Sequence, residues 1–162
     1  MKIINTNKTL FLLISMIFCC CSNEIGFYEF KDFSDGWKSS ETVTFIINKT
    51  PDLEGDVFIN LRNDNNYMYS NIFLITSLIK DGVEIRKDTL EYLMTDKKGK
   101  FLGNGFGNVK ESILYWQEDY PFSSKSKYSL SMNHAVRKNG KQFGMKVLPG
   151  ILSVGVSIIY KK

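Results

Sequence analysis

Reactive side chains are few in this 162-residue sequence, and their spacing argues against most catalytic chemistry. All three cysteines stand together at Cys19, Cys20 and Cys21, and His134 is the only histidine. A Ser–His–Asp or Cys–His system would need that single imidazole beside a nucleophile, and its neighbours form no nucleophile elbow, so a surface or edge role is expected for it. A zinc site needs several thiolates or imidazoles at suitable spacing, which the chain lacks. Asp88/Glu91 and Glu118/Asp119 are the carboxylate pairs that glycoside cleavage would call for, but an odd offset along a strand sets Asp88 and Glu91 on opposite faces. Asn63, Asp64, Asn65 and Asn66 offer oxygen ligands for calcium, without the glycine and distal glutamate of an EF-hand loop. Gly103, Gly105 and Gly107 lack the spacing and the following helix of a dinucleotide fingerprint, so a tight turn with positive φ is expected there. No catalytic residue, cofactor or metal is expected. Among the aromatics, Tyr67, Tyr69, Phe101, Phe106 and Trp116 could stack on a sugar ring or fill a core; Trp116, Tyr67 and Tyr69 are the candidate contact face.

The cysteines acquire meaning from what precedes them. Lys2 and Lys8 lie in an N-terminal segment without acids, and residues 10–18 form an uncharged apolar run. This is the order of a bacterial secretory signal. As a helix, residues 10–20 would reach about 16 Å, against roughly 30 Å of hydrocarbon, too short to span. Cysteines gathered at the end of such a run fit a lipoprotein signal, in which one cysteine is acylated and becomes the new N-terminus. Cys21 follows two small residues and leaves the whole apolar run on the discarded side. It is the expected lipidation site, with Cys20 the second choice. The expected organisation is a signal peptide over 1–20, a membrane-proximal tether over 21–26 and one domain over 27–162. Two or three acyl chains hold stably to a bilayer where one does not.

About 140 residues then remain, the usual size of a single domain, large enough to build a core without disulfides. The formal charge of +4 loses Lys2 and Lys8 with the signal, and the remaining lysines are scattered, which argues against nucleic-acid binding. Twelve Phe, eight Tyr and two Trp suit pleated sheets.

The elements that would position any site read as strands. Eight segments carry the pattern: 27–33, 41–49, 56–62, 71–79, 83–94, 111–116, 127–136 and 152–160. Val43, Phe45 and Ile47 fall on one face, as do Val57, Ile59 and Leu61, Tyr128, Leu130 and Met132, and Val154, Val156 and Ile158. Residues 71–79 are apolar on both faces and read as a central strand covered on both sides. Asp81-Gly82 signals a hairpin turn and Asp35-Gly36 another turn. Gly155 marks a bulge or a close neighbour. Residues 117–121 read as an acidic loop, and residues 135–140 as a single helical turn. Polar Arg62 and Asp88 next to apolar runs suggest a buried ion pair tying the sheet. Eight short-spaced strands with almost no helix predict an all-β, antiparallel β-sandwich of jelly-roll type.

One resemblance runs through nearly the whole chain. Its residues are Asn60, Leu61, Arg62 and Tyr67; Asn71, Phe73 and Leu74; Asp88, Thr89, Leu90 and Glu91; Asp96, Gly99, Phe101, Leu102, Gly103 and Gly105; Tyr128; Ala135, Val136 and Arg137; and Gly150, Ile151, Val154 and Gly155. In these the chain resembles the gliding-motility lipoprotein GldH family of Bacteroidetes. Phe101 stands where that family tends to have Trp, and Val136 where it tends to have Met; both exchanges keep apolar character. The resemblance implies an envelope lipoprotein needed for gliding and linked to the type IX secretion apparatus, with no catalytic residues to carry over. The expected function is a non-enzymatic protein anchored through its acyl chains, placed at the outer membrane and acting on envelope protein partners. The alternative is an anchored glycan-binding module.

Overall fold

The computed structural model describes residues 25–137 and 144–161. Ten strands follow in chain order: β1 (Ile25–Asp32), β2 (Trp37–Lys38), β3 (Val43–Ile47), β4 (Glu54–Asn63), β5 (Asn71–Lys80), β6 (Val83–Leu93), β7 (Lys110–Pro121), β8 (Tyr128–His134), β9 (Val147–Leu148) and β10 (Ile151–Tyr160). Among the described residues there is no helix.

The pairing is nested. β5 pairs with β6, β4 with β7, β3 with β8, β2 with β9 and β1 with β10, every ladder antiparallel. Two further ladders, β10 with β4 and β8 with β5, join these pairs into the sheets β1-β10-β4-β7 and β3-β8-β5-β6. One long hairpin wound over on itself in this way is the jelly roll, so the chain is an all-β sandwich of that type. The innermost turn is the Asp81-Gly82 hairpin, where φ is 51° and 84°. Two positive φ angles match the right-handed twist of the flanking strands, and Asp and Gly tolerate them best.

The period-two faces meet between the sheets. Phe45 and Ile47 of β3, Leu130 and Met132 of β8 and Ile72 and Leu74 of β5 share one buried cluster with Ile59 and Leu61 of β4 and Val154, Val156 and Ile158 of β10. Each such side chain contributes about 1.5–3 kcal/mol by leaving water, which makes this layer the dominant stabilising term.

Several elements differ from the sequence reading. β5 is central in its sheet, but only one face is fully buried; on the outer face Asn71, Phe73, Ile75 and Ile79 are half-buried and only the small Ser77 is covered. An apolar outer residue needs only its cross-strand neighbours for partial cover, so apolar character on both faces did not require a third layer. The acidic segment 117–121 is strand, because β7 runs through it past two register shifts against β4. Ala135 and Val136 are not helical, and Arg137 bridges Gly144 antiparallel; residues 138–140 lie outside the described residues. β1 begins at Ile25, two residues before the expected strand. Trp37, directly after the expected Asp35-Gly36 turn, lies in β2 at 0% exposure, with its Nε1–H donating to the Glu41 carbonyl at 2.9 Å.

Arg62 and Asp88 do not pair. They lie in different sheets: Arg62 bonds Glu111 on the neighbouring strand β7, and Asp88 bonds Arg86 on its own strand. The strand face on which each side chain emerges decides its partner, and their sequence positions carried no information on that.

Candidate contact surface

No group of three or more metal-binding side chains occurs among the described residues. The chemistry-bearing residues are dispersed. Glu91 faces outward and accepts from Asn71 Nδ2 at 2.6 Å, while Asp88 accepts from the Trp116 indole N–H at 3.0 Å. Burial opposes ionisation of Asp88, but hydrogen bonds from Arg86 and Trp116 outweigh it and hold its carboxyl below the usual range. His134 is not at the surface: it is 3% exposed, packs edge-on to Trp37 at 5.4 Å and contacts the Trp37 carbonyl through Nε2 at 3.0 Å. Burial lowers its pKa from the ordinary 6.5, against the opposing effect of that hydrogen bond.

The expected aromatic face is interior. Trp116 is 7% exposed and Tyr67 3%, and both belong to the core cluster, with the partly buried Tyr69 edge-on to Tyr67 at 5.6 Å. The Tyr67 hydroxyl donates to the Asn71 carbonyl at 2.7 Å. These rings hold the sandwich together and offer no stacking platform. Phe101 packs partly buried against the same core, whereas Phe106 is fully exposed. Cys20 and Cys21 lie outside the described residues.

Two other surfaces emerge. The first is the outer face of the sheet β1-β10-β4-β7, where the register lays side chains in rows. One row runs Asp32, Ser153, Arg62, Glu111; the next Phe30, Gly155, Asn60, Ile113; the third Tyr28, Ser157, Phe58, Tyr115. Gly155 has no side chain because a Cβ there would stand 2.6 Å from the Glu29 carbonyl oxygen and 2.8 Å from the Phe30 ring. Phe30 lies across that gap, with the Arg62 guanidinium 4.0 Å from its ring centre. Beneath this cover Asn60 donates to Ser157 Oγ at 3.0 Å, both buried. Tyr28 and Tyr115 remain about half exposed.

The second is an apolar groove of about 580 Å³ at the corner where β7 and β6, the outermost strands of the two sheets, come together. Leu93, Leu102 and Ile113 line it and are 66%, 54% and 66% exposed. Phe106 and Val109, on the connection 94–109 that supplies Leu102 and Gly105 to the groove, are exposed as well. Phe106 sits between Gly105 (φ 156°) and Gly107 (φ 61°), so the expected glycine turn is present at these two, whereas Gly103 has no positive φ and is glycine because a Cβ there would meet the Glu111 carbonyl at 2.8 Å. The corner is braced from within: the Tyr92 hydroxyl donates to the Tyr115 carbonyl at 2.6 Å, and burial, aided by the Asp88 charge, pushes its pKa up to about 12. Sequence reasoning missed Tyr28, Leu93, Ile113 and Tyr115. Their signal was apolar residues on both faces of an edge strand, visible in 111–116 but uninterpretable until β7 was known to lie at an edge.

Fold and surface define the class first: an all-β sandwich of jelly-roll type with an exposed apolar corner. The sequence profile of the GldH lipoprotein family matches residues 26–158. The gliding motility lipoprotein GldH of Flavobacterium johnsoniae is 37% identical over 158 residues, covering 96% of this chain and 97% of that protein. A GldH homolog of Christiangramia forsetii is 38% identical over 150 residues, 92% of each. The chain belongs to the GldH lipoprotein family. Among solved structures, a family GH115 4-O-methyl-alpha-glucuronidase aligns at a TM-score of 0.41 and 13% identity, over 83% of this chain and 14% of that one. Dimeric latent PorU from Porphyromonas gingivalis aligns at 0.33 and 16%, over 87% and 14%. Scores at this level carry no weight for function.

Proposed function

We infer that this chain is a lipid-anchored protein of the cell envelope, at the outer membrane, which supports gliding motility, the type IX secretion machinery or both through contacts with other proteins and without catalysis. The groove lined by Leu93, Leu102 and Ile113 carries the reading, since contiguous exposed apolar surface marks interaction sites. The names of the relatives support the motility role. The anchor is Cys21, with Cys20 second, released by removal of residues 1–20 and joined by a short tether to the domain.

The test is complementation of a gliding host that lacks its own relative. Wild type should incorporate labelled palmitate, sediment with outer membrane and restore colony spreading; a double variant with Cys20→Ser and Cys21→Ser should do none of these. An unlabelled wild type, or a soluble double variant that restores spreading fully, would overturn the reading.

A second reading, an anchored glycan-binding module, draws on the half-exposed Tyr28 and Tyr115 beside the Arg62–Glu111 pair. Calorimetry with envelope and algal polysaccharides decides it: binding heat lost in Tyr28→Ala and Tyr115→Ala sustains it, and the absence of heat with wild type removes it.

A further inference from the structure

The groove is more than an apolar hollow, because one of its walls is an unpaired strand edge. Asn104 and Glu111 exchange both backbone hydrogen bonds, at 2.9 and 2.7 Å, so the N–H and C=O of Glu111 point away from β4. Antiparallel ladders alternate, and Glu111, Ile113 and Tyr115 stand opposite Arg62, Asn60 and Phe58 without a register shift between them. The N–H and C=O of Ile113 therefore point the same way, into the groove. Glu111 is closed by Asn104 on one side and the Tyr115 carbonyl by Tyr92 on the other, which leaves a one-residue window at Ile113.

We propose that this window and groove dock an extended segment of a partner envelope protein, which pairs its backbone with Ile113 and seats an apolar side chain between Leu93 and Leu102. The proposal rests on the protein-contact reading above and names its site. Backbone pairing supplies affinity and the pocket supplies selectivity, as in other strand-addition complexes.

Charge, the symmetry that a second copy would impose and the position of the anchor choose this occupant. Lys97, Lys98 and Lys100 project from the hairpin that the Thr95–Phe101 bridge closes next to Leu102, exposed and outside the ion pairs seen among the described residues. They call for an acidic flank on the segment. A second copy of this chain docked symmetrically would set these lysines against each other. The third concerns the bilayer. The described chain starts at Ile25 on β1, the outermost strand on the far side of the sheet, and pairs there with Ile159, near the end opposite the groove. Between the Phe30–Ile113 row and Ile25 lie about five residues, roughly 17 Å along the strand, and three strand spacings, roughly 14 Å across. The few residues between an acylated Cys21 and Ile25 cover about 14 Å fully extended. An upright sandwich thus holds the groove away from the membrane, and one lying on that face would press Asp32, Arg62 and Glu111 into it.

The experiment places a photo-crosslinking p-benzoylphenylalanine at Phe106, next in the chain to the groove-lining Gly105, in the full-length lipoprotein in cells, and as a control at exposed Ile46 on the outer face of the other sheet. Expected is a crosslink from position 106 to one envelope protein, mapped by mass spectrometry to an extended segment with alternating apolar residues and acidic neighbours. Leu102→Asp with Ile113→Lys should cut it about tenfold or more, the effect of losing a central contact, with the melting temperature unchanged. Leu93→Glu, on a different strand, should do the same if that double variant folds poorly. Crosslinks to phospholipid, to a second copy of the chain, or to many proteins, or a crosslink indifferent to these substitutions, would overturn the proposal. Protein crosslinks from position 46 with none from 106 would sink the groove and leave the protein-contact reading standing; none from either would sink both.

Discussion

His134 shows how a residue's role follows from its burial. Held neutral between Trp37 and the core, it donates through Nε2 to a carbonyl, which leaves Nδ1 without a partner. Its folded pKa is lowered below 6.5, so below that pH the unfolded chain binds a proton that the folded chain refuses. Stability should be constant above about pH 7.5 and fall as pH drops through the ordinary histidine range. As the only histidine, it makes this window assignable: urea midpoints from pH 8 to 5.5 should slope in wild type and flatten in His134→Gln, and an unchanged slope would show the residue irrelevant. Trp116 gives a second test at this scale. As a core ring it should cost about 3–5 kcal/mol when truncated to Ala, read as a lower denaturation midpoint. Trp116→Phe should cost less, with the remaining loss traced to the Asp88 carboxylate that its N–H had satisfied.

At the scale of elements, register decides which polar groups meet. Arg62 and Glu111 are opposite each other on β4 and β7, 2.8 Å apart, with side chains roughly a third exposed. Solvent screening keeps such a pair to about 0–1 kcal/mol. A double-mutant cycle on Arg62→Ala and Glu111→Ala should return a coupling in that range. The cycle on Arg62→Ala and Asp88→Ala, in separate sheets with separate partners, should be additive within about 0.5 kcal/mol. A larger coupling in the second cycle would mean that the two sheets share a polar network across the core. The strand pattern legible in the sequence located all eight long strands. The short β2 and β9 were not legible, because two residues carry no periodicity and their pairing of Trp37 with Leu148 spans most of the chain.

For the whole molecule, nesting makes β10 the linchpin, since it pairs with both β1 and β4. Ending the chain after Gly150 removes Val154, Val156 and Ile158, each 0% exposed. At about 1.5–3 kcal/mol apiece this approaches or exceeds the about 5–15 kcal/mol that holds a domain together, before any lost hydrogen bonds are counted. The truncated chain should show no cooperative unfolding transition by near-UV circular dichroism; a sharp transition would mean that the remaining strands form a sheet without it.

Local patterning was enough for the class: period-two faces, glycine turns and few helical signals admit little except a two-layer antiparallel sandwich, because alternation along a strand is local physics. The family match was equally legible in spaced residues such as Asn60, Arg62 and Gly155. Which aromatics face water depends on contacts between segments far apart in the chain. Trp116 and Tyr115 are neighbours of similar character on one strand; the pleat sets them on opposite faces, and packing against the other sheet decides that the first is the covered one. The groove, too, exists only because nested pairing leaves β6 and β7 as outermost strands side by side. An open edge is a property of which strands lack a neighbour, and that is settled by contacts between residues far apart in the chain.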